Sequence, residues 1–195
     1  MGRIGHCREH ILDSGISLLI SKGYNGTGVK DIVDAAGVPK GSFYNHFDSK
    51  EAFVVEALEK LGAESMREIE FCLLKGLDEG SPKQKLFDFF DANQEAHKKE
   101  GFSGGCLFGN LCLEMSDENE AIRATTSQIM CQVIKLIRKC LDEAIQKGEL
   151  SEDKDPKELA EFIYYAWEGT IMRMKGQRTD EAYLIFRKYL ASFFN

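Results

Sequence analysis

Apolar residues recur at intervals of three and four positions along most of this chain, and that spacing constrains its fold more than any other sequence feature. Side chains spaced in this way share one face of an α-helix, whereas the strict alternation typical of strands is almost absent. Pro39, Pro82 and Pro156 each stand where a helix would begin, and proline suits the first helical turn because its missing N–H would have had no partner there. The sequence therefore predicts an all-α protein of about nine helices.

Glycines and capping residues mark the ends of the predicted helices. Gly23 and Gly37 are expected to end the first two helices in the left-handed conformation that glycine adopts without strain. Thr27 is expected to cap the start of the second helix. The stretches Asp48–Glu51 and Ser81–Gln84 are typical of capping boxes, so each should open a long helix.

The charge of the chain is unevenly distributed. The formal net charge is -7, yet the first 50 residues hold six Lys/Arg against five Asp/Glu, and the remaining 145 hold 19 against 27. An acidic body with a neutral-to-basic end is compatible with an anionic partner at that end only. We expect two domains that meet within the long fourth helix, one over residues 1–50 and a larger helical bundle over residues 51–195.

The cysteines and the apolar runs bear on location. Six cysteines contain no Cys-x-x-Cys pair, and no secretory signal precedes them, so reduced thiols in a cytoplasmic protein are expected. No apolar run approaches the length of a membrane span. Cys106 and Cys112 are six residues apart without a neighbouring histidine, so neither a metal site nor a cofactor is expected.

Two short predicted helices joined by Gly37-Val38-Pro39 are typical of a helix-turn-helix, whose second helix enters the DNA major groove. Phe43 and Phe47, four positions apart, would anchor that helix to the domain. This leaves Lys40, Ser42, Tyr44 and Asn45 facing outward.

The outward residues have suitable chemistry for DNA. Lys40 can donate to guanine or phosphate, the hydroxyls of Ser42 and Tyr44 can bond phosphate oxygens, and Gly41 lets the backbone come close. Thr27 and Lys50 lie at helix starts, where free N–H groups attract phosphate.

The stretch GYNGTGVKDIVDAAGVPKGSFYNHFDSKEAF, within residues 7–53, resembles the DNA-binding domain of the TetR family of transcriptional regulators. The resemblance lies in Gly-Tyr, Thr-x-Val-x-Asp-Ile, Ala-Gly-Val, Lys-Gly-x-x-Tyr-x-His-Phe and Lys-Glu, all in register. It implies an N-terminal three-helix DNA-binding domain joined to a variable ligand-binding and dimerising bundle. It also implies DNA contacts at Thr27, Lys40, Ser42, Tyr44, Asn45, His46 and Lys50. Pro39 departs from the serine that many members carry, so that contact is missing or replaced.

The last 41 residues are the most aromatic part of the chain, with two helices expected over roughly residues 155–176 and 179–194. The final helix is apolar on nearly every face between Ala182 and Phe186, so it needs covering on more than one side. An ordinary buried helix would satisfy this pattern. We expect instead a homodimer interface, since two operator half-sites need two recognition helices.

A glycine-rich break over residues 101–105 precedes a second informative stretch. Its Gly-Cys-Leu-x-x-Asn-Leu-x-x-Glu pattern, starting at Gly105, resembles the regulatory domain of a TetR subgroup. Cys106 is expected in a first helical turn, where the helix dipole favours a reactive thiolate; packing behind a glycine turn is the alternative. The side chains that could line an apolar effector pocket are Phe102, Cys106, Phe108, Met115, Met130, Tyr164 and Trp167.

Three functions are compatible with the sequence. The first is a TetR-type repressor that binds a palindromic operator in double-stranded DNA as a dimer and is released by an apolar or electrophilic small molecule. The second is a helical scaffold or partner-binding protein without DNA function. The third is an enzyme with Cys106 as nucleophile, which lacks a positioned base because the four histidines are His6, His10, His46 and His97. No enzymatic activity is therefore expected.

Overall fold

The structure, a computed structural model, describes residues 2–75 and 80–194. Over these residues the chain forms nine α-helices and no β-strand, which confirms the all-α class. The helices are α1 (Gly2–Lys22), α2 (Val29–Ala35), α3 (Lys40–Tyr44), α4 (Lys50–Glu70), α5 (Pro82–Lys99), α6 (Leu107–Met115), α7 (Glu120–Gln146), α8 (Pro156–Gln177) and α9 (Glu181–Ser192). A π-helical turn, Phe71–Lys75, continues α4.

Side-chain caps explain where several helices begin. Ser81 Oγ accepts a hydrogen bond of 3.1 Å from the N–H of Gln84, as its capping sequence predicted. Asp155 accepts from the N–H of Lys157 at 2.8 Å, again directly before a proline. At α4 the capping side chain is Ser49, whose Oγ lies 3.1 Å from the N–H of Ala52. Each cap satisfies a backbone donor that the first helical turn leaves without a partner.

The chain divides into two compact units by its internal contacts. The first comprises Met1–Ala63 and Cys106–Ile129, and the second comprises Glu64–Gly105 and Met130–Asn195. The first unit thus contains α1 to α3, the start of α4, all of α6 and the start of α7. The domain boundary after residue 50 remains a prediction.

An aromatic cluster fixes the recognition segment in the first unit. Phe43 and Phe53 are fully buried and Phe47 is 2% exposed. Their ring centroids lie 5.2 Å apart for Phe43 and Phe47, 5.4 Å for Phe43 and Phe53, and 5.0 Å for Phe47 and Phe53. Three rings at these separations gain both burial and edge-to-face contact. They hold α3 and the start of α4 together.

A second aromatic cluster forms the centre of the other unit. Trp167 of α8 packs against Phe90 of α5 at 5.0 Å and Phe186 of α9 at 5.4 Å between ring centroids. Phe90 and Phe186 also meet, at 4.9 Å. This cluster joins three helices that are far apart in sequence.

Candidate nucleic-acid interface

The turn between α2 and α3 has the geometry that its sequence predicts. Gly37 has a φ of 63°, in the left-handed region where a side chain would strain the backbone. Pro39 is the N-cap of α3, with a φ of -62°, so α3 begins one residue later than a first-turn proline would place it. Phe43 points into the core and thereby sets which face of α3 turns outward.

The outer face of α3 presents polar side chains. Lys40 and Asn45 are exposed, and Tyr44 is 53% exposed although its ring contacts Phe43 edge-on at 5.3 Å. Ser42 and His46 are half-buried at the margins of this face. A Cβ added at Gly41 would meet nothing within 4 Å, so the surface here is open. This face combines hydrogen-bond donors with room for a ligand.

Thr27 differs from its predicted role as a helix cap. The N-cap of α2 is Gly28, whose N–H donates to the Asp31 carboxylate at 2.8 Å. The Thr27 side chain is fully buried, and its hydroxyl donates to the carbonyl of Gly23 at 2.8 Å. The cap prediction was therefore wrong, because the hydroxyl reaches back to the end of α1 instead of forward to α2.

Lys50, at the start of α4, makes an inward contact. Its Nζ donates to the carbonyl of Tyr24 at 2.6 Å and lies 3.7 Å from the centroid of the Tyr24 ring. Partial burial lowers the pKa of the Lys50 ammonium, and the nearby carboxylates of Glu51 and Glu114 oppose that shift. An ammonium has three N–H donors, so donors remain beyond the one that Tyr24 accepts.

Tyr24 is held at all three of its polar groups. Besides accepting from Lys50, it donates its backbone N–H to the Glu114 carboxylate at 2.6 Å and its hydroxyl to Glu51 at 2.5 Å. Burial and the bond to Glu51 raise the pKa of Tyr24 to about 12. The same bond lowers the pKa of Glu51.

This network ties the connection after α1 to α4 and α6. The Gly-Tyr pair and the Asn-Leu-x-x-Glu pattern are visible in the sequence. The contact between Tyr24 and Glu114 is not, because 90 residues separate them. Gly23, at a φ of 71°, permits the close approach, since a Cβ there would lie 2.6 Å from a Glu114 oxygen.

Cys106 lies at the N-terminus of α6, in the first unit. It is the N-cap residue, and its Sγ accepts from the N–H of Gly109 at 3.4 Å. Phe108 is half-buried on the same helix, and Met115 is 6% exposed at its end. The predicted position near the helix start is correct, although the residue precedes the first turn.

The other proposed pocket residues belong to the second unit. Tyr164 and Trp167 are each 6% exposed on α8, and Met130 is half-buried on α7. Phe102 is half-buried in the loop after α5 with a φ of 56°, an unusual value for a residue with a Cβ.

The outer faces of α8 and α9 form an apolar groove of about 300 Å³. Six large apolar side chains on these two helices are more than half exposed: Phe162, Tyr165, Met172, Leu184, Ile185 and Tyr189. Four other large apolar side chains among the described residues are exposed, and each lies on a different helical segment: Ile20, Tyr44, Phe71 and Leu113. Apolar exposure is thus concentrated on one surface of the second unit, as interfaces require.

Neither a metal site nor a membrane-spanning helix is present in the described parts of the chain. No group of three or more His, Cys, Asp or Glu side chains there could hold a metal ion. Among the same residues, no helix has the length and hydropathy needed to cross a bilayer.

Two family models match the chain in succession. Residues 11–57 match the model described as bacterial regulatory proteins, tetR family. Residues 82–190 match that of a tetracyclin repressor-like C-terminal domain. The first match covers the second half of α1, all of α2 and α3, and the start of α4 with Lys50 and Glu51. The second covers α5 to α8 and most of α9.

Characterised proteins resemble the chain over most of its length. The HTH-type transcriptional repressor DhaR of Mycobacterium sp. (strain GP1) is 36% identical over 176 residues, 89% of this chain and 85% of that protein. The HTH-type transcriptional repressor NemR of Escherichia coli (strain K12) is 30% identical over 174 residues, 89% of this chain and 86% of that protein.

Solved structures resemble the fold closely. The reduced form of E. coli NemR has a TM-score of 0.90 at 28% identity and covers 97% of both chains. A regulatory protein TetR from Rhodobacter sphaeroides has a TM-score of 0.88 at 32% identity, covering 96% of this chain and 98% of that one.

Proposed function

This chain belongs to the TetR family of transcriptional regulators, and on that premise we propose that it is a homodimeric repressor released from a palindromic operator by a small molecule. The observation that carries the proposal is the outer face of α3, where Lys40, Tyr44 and Asn45 project from a helix anchored by the buried Phe43. The names of the relatives support repression rather than activation.

The DNA contacts divide by chemistry. Lys40 and Tyr44 lie on the exposed face that would enter the major groove, so we assign them to base edges and adjacent phosphates, with Asn45 beside them. Ser42, His46 and the open backbone at Gly41 would meet the sugar-phosphate backbone at the margins. Thr27 would act by positioning the start of α2, because its hydroxyl donates to the carbonyl of Gly23 and its backbone N–H to that of Tyr24. Lys50 would use its remaining donors on phosphate.

The dimer would form through α8 and α9. These helices expose six large apolar side chains, and three of them, Phe162, Ile185 and Tyr189, line a groove of about 300 Å³. Covering this surface with the same surface of a second copy buries apolar area at about 25 cal/mol per Å². A dimer with a two-fold axis through this surface would have two recognition helices, one for each half of a palindrome.

The effector would act on the larger helical region. Trp167 and Tyr164 in the second unit are our candidates for direct contact, together with Phe102 and Met130. On α6, Cys106 is the candidate for reaction with electrophiles, and Phe108 and Met115 flank it. Release requires only that the effector prefer the conformation that does not bind DNA. Acting on chromosomal DNA, such a regulator would work in the cytoplasm.

The test is a fluorescence-anisotropy titration of the purified protein against DNA from upstream of its own gene and against random DNA of equal length. We expect tight, salt-dependent binding to the upstream DNA and weak binding to the random DNA. Lys40→Ala should reduce that difference. Equal binding to both DNAs, unchanged by Lys40→Ala, would favour the helical scaffold instead.

A thiol reagent tests the role of Cys106. N-ethylmaleimide should weaken operator binding by the wild-type protein and leave binding by Cys106→Ser unchanged. Equal responses of the two proteins would return Cys106 to a packing role at the α6 N-cap.

A further inference from the structure

Three polar side chains in the aromatic core of the second unit have no hydrogen-bond partner among the described residues. Gln94 of α5 is 5% exposed and Trp167 of α8 is 6% exposed, yet neither the amide nor the indole N–H bonds to any described residue. The half-buried imidazole of His97 likewise makes no hydrogen bond within the described parts of the chain. Buried amides and indoles normally have partners, because an unpaired one costs about 1–3 kcal/mol.

The three groups lie together. Phe90, Gln94 and His97 occupy one face of α5, at positions i, i+4 and i+7. Both outer members of this row meet the indole of Trp167, with ring centroids 5.0 Å away for Phe90 and 6.4 Å for His97. Gln94 stands between them on the same face of α5.

The unpaired polar atoms of these three side chains are still accessible to solvent. Over the described residues, the sole sealed side-chain nitrogen or oxygen without a partner is Thr179 Oγ1. The unpaired atoms of Gln94, His97 and Trp167 are consequently not enclosed by protein atoms. They combine accessible polar atoms with largely apolar surroundings, an arrangement typical of small-molecule sites.

The charge of the cluster restricts what it can bind. Burial lowers the pKa of His97, which favours a neutral imidazole with one donor and one acceptor. Gln94 and Trp167 are uncharged, and the nearby Asp91 carboxylate already accepts from Tyr183 and Arg187. An ionised ligand would lose its hydration here without gaining an opposite charge. The amide and indole N–H groups favour an acceptor such as a carbonyl oxygen.

We propose that Gln94, His97 and Trp167 form the polar end of a site for a small, planar, uncharged molecule that carries a carbonyl or similar oxygen acceptor. The molecule's ring or conjugated body stacks in the aromatic cluster, and its oxygen accepts from the Gln94 amide and the Trp167 indole. The proposal rests on the effector-responsive function above and deepens it by naming the residues and the ligand class.

Trp167 is the sole tryptophan of the chain, so its emission reports on this site directly. Three probes that share a benzene ring test the ligand class. Acetophenone carries a neutral carbonyl acceptor, ethylbenzene carries no acceptor, and benzoate carries a negative charge. Calorimetry should give acetophenone an affinity at least about five-fold above the other two, the effect of one or two neutral hydrogen bonds. Its binding should also change the Trp167 emission saturably.

Gln94→Leu supplies the decisive variant, and Gln84→Leu is its matched control. Gln84 lies on the same helix but is exposed and bonds to Asp88 at 2.7 Å. We expect Gln94→Leu to reduce the preference for acetophenone over ethylbenzene to less than about two-fold. Gln84→Leu should keep the preference.

Three results overturn the assignment: equal affinities of the probes, no change in Trp167 emission, or an unchanged preference in Gln94→Leu. Polar groups that bind only water would give the first. None of these affects operator binding by the ligand-free protein, so anisotropy with upstream DNA separates a failure of this site from a failure of the repressor function.

Discussion

At the scale of single residues, the surroundings of Tyr24 matter most for DNA binding. Its backbone N–H, carbonyl and hydroxyl are bonded to Glu114, Lys50 and Glu51, all at 2.5–2.6 Å. These bonds fix the connection that precedes α2 and the start of α4. A residue engaged in this network affects the position of α3 even where it does not touch DNA.

Lys50→Ala tests the double role of this lysine. Loss of the phosphate contact should reduce the salt slope of operator binding by about one unit per subunit, and loss of the bond to Tyr24 should lower Tm. Anisotropy at several salt concentrations and thermal unfolding measure these effects. Lys60→Ala is the control. Lys60 lies ten residues after Lys50 on α4 and pairs with Asp13 of α1, so its loss removes an ion pair away from the DNA-binding face. An unchanged salt slope would confine Lys50 to the contact with Tyr24.

Glu114→Ala should free the backbone N–H of Tyr24. A hydrogen bond to a charged acceptor contributes about 1.5–3 kcal/mol, and the half-buried position of Glu114 places the expected loss toward the lower end. Amide hydrogen exchange at Tyr24 should become faster. Glu114→Gln keeps an acceptor and should lose less. Unaltered exchange in both variants would contradict this role.

At the scale of helices, α3 shows how five residues can be held firmly enough to bind DNA. An isolated helix of this length is unstable in water, so its stability comes from the packing of Phe43 against Phe47 and Phe53. The same packing leaves the opposite face of α3 free for a ligand.

Phe43→Ala and Tyr44→Ala should separate stability from recognition in adjacent residues. Phe43 is fully buried, so its loss should destabilise the domain by about 3–5 kcal/mol. Tyr44 is 53% exposed, and its loss should leave Tm nearly unchanged while lowering operator discrimination by about 1–3 kcal/mol. Denaturant unfolding and anisotropy measure the two effects. A large loss of stability in Tyr44→Ala would contradict the assignment.

An ion pair between α5 and α9 should make stability depend on pH. Arg187 donates to Asp91 at 2.8 Å and lowers the pKa of that carboxyl, with Tyr183 contributing a further hydrogen bond. A lowered acid pKa stabilises the fold above the unfolded value of about 4, and this stability is lost as the pH falls through the native value. The loss of Tm below about pH 5 should therefore be smaller in Asp91→Asn than in wild type. Asp88→Asn, one turn earlier and exposed, is the control.

At the scale of the whole molecule, the assembly decides whether two recognition helices act together. Ile185→Asp introduces a charge at a side chain that is 60% exposed on the apolar face of α9. It should shift the protein to monomers in sedimentation and weaken operator binding, because burying an unpaired carboxylate is costly. Leu113→Asp makes the same change at a side chain 86% exposed on α6 and should leave the dimer intact. Dimers in both variants would move the interface elsewhere.

The sequence by itself determined features that depend on neighbours along the chain. Periodic apolar spacing, capping side chains and the glycines at positions 23 and 37 act within one or two helical turns, so the helices and the outward face of α3 were predictable. The resemblance in residues 7–53 likewise required only residues in register.

Tertiary structure alone decided the features that depend on distant residues. The bond between Tyr24 and Glu114 spans 90 positions, and the cluster of Gln94, His97 and Trp167 joins α5 to α8. Helical periodicity tells which face of a helix is buried but not which side chain it meets there. The hydroxyl of Thr27 turned back to Gly23 for the same reason: its partner was chosen by the packing of the domain, not by the local capping pattern.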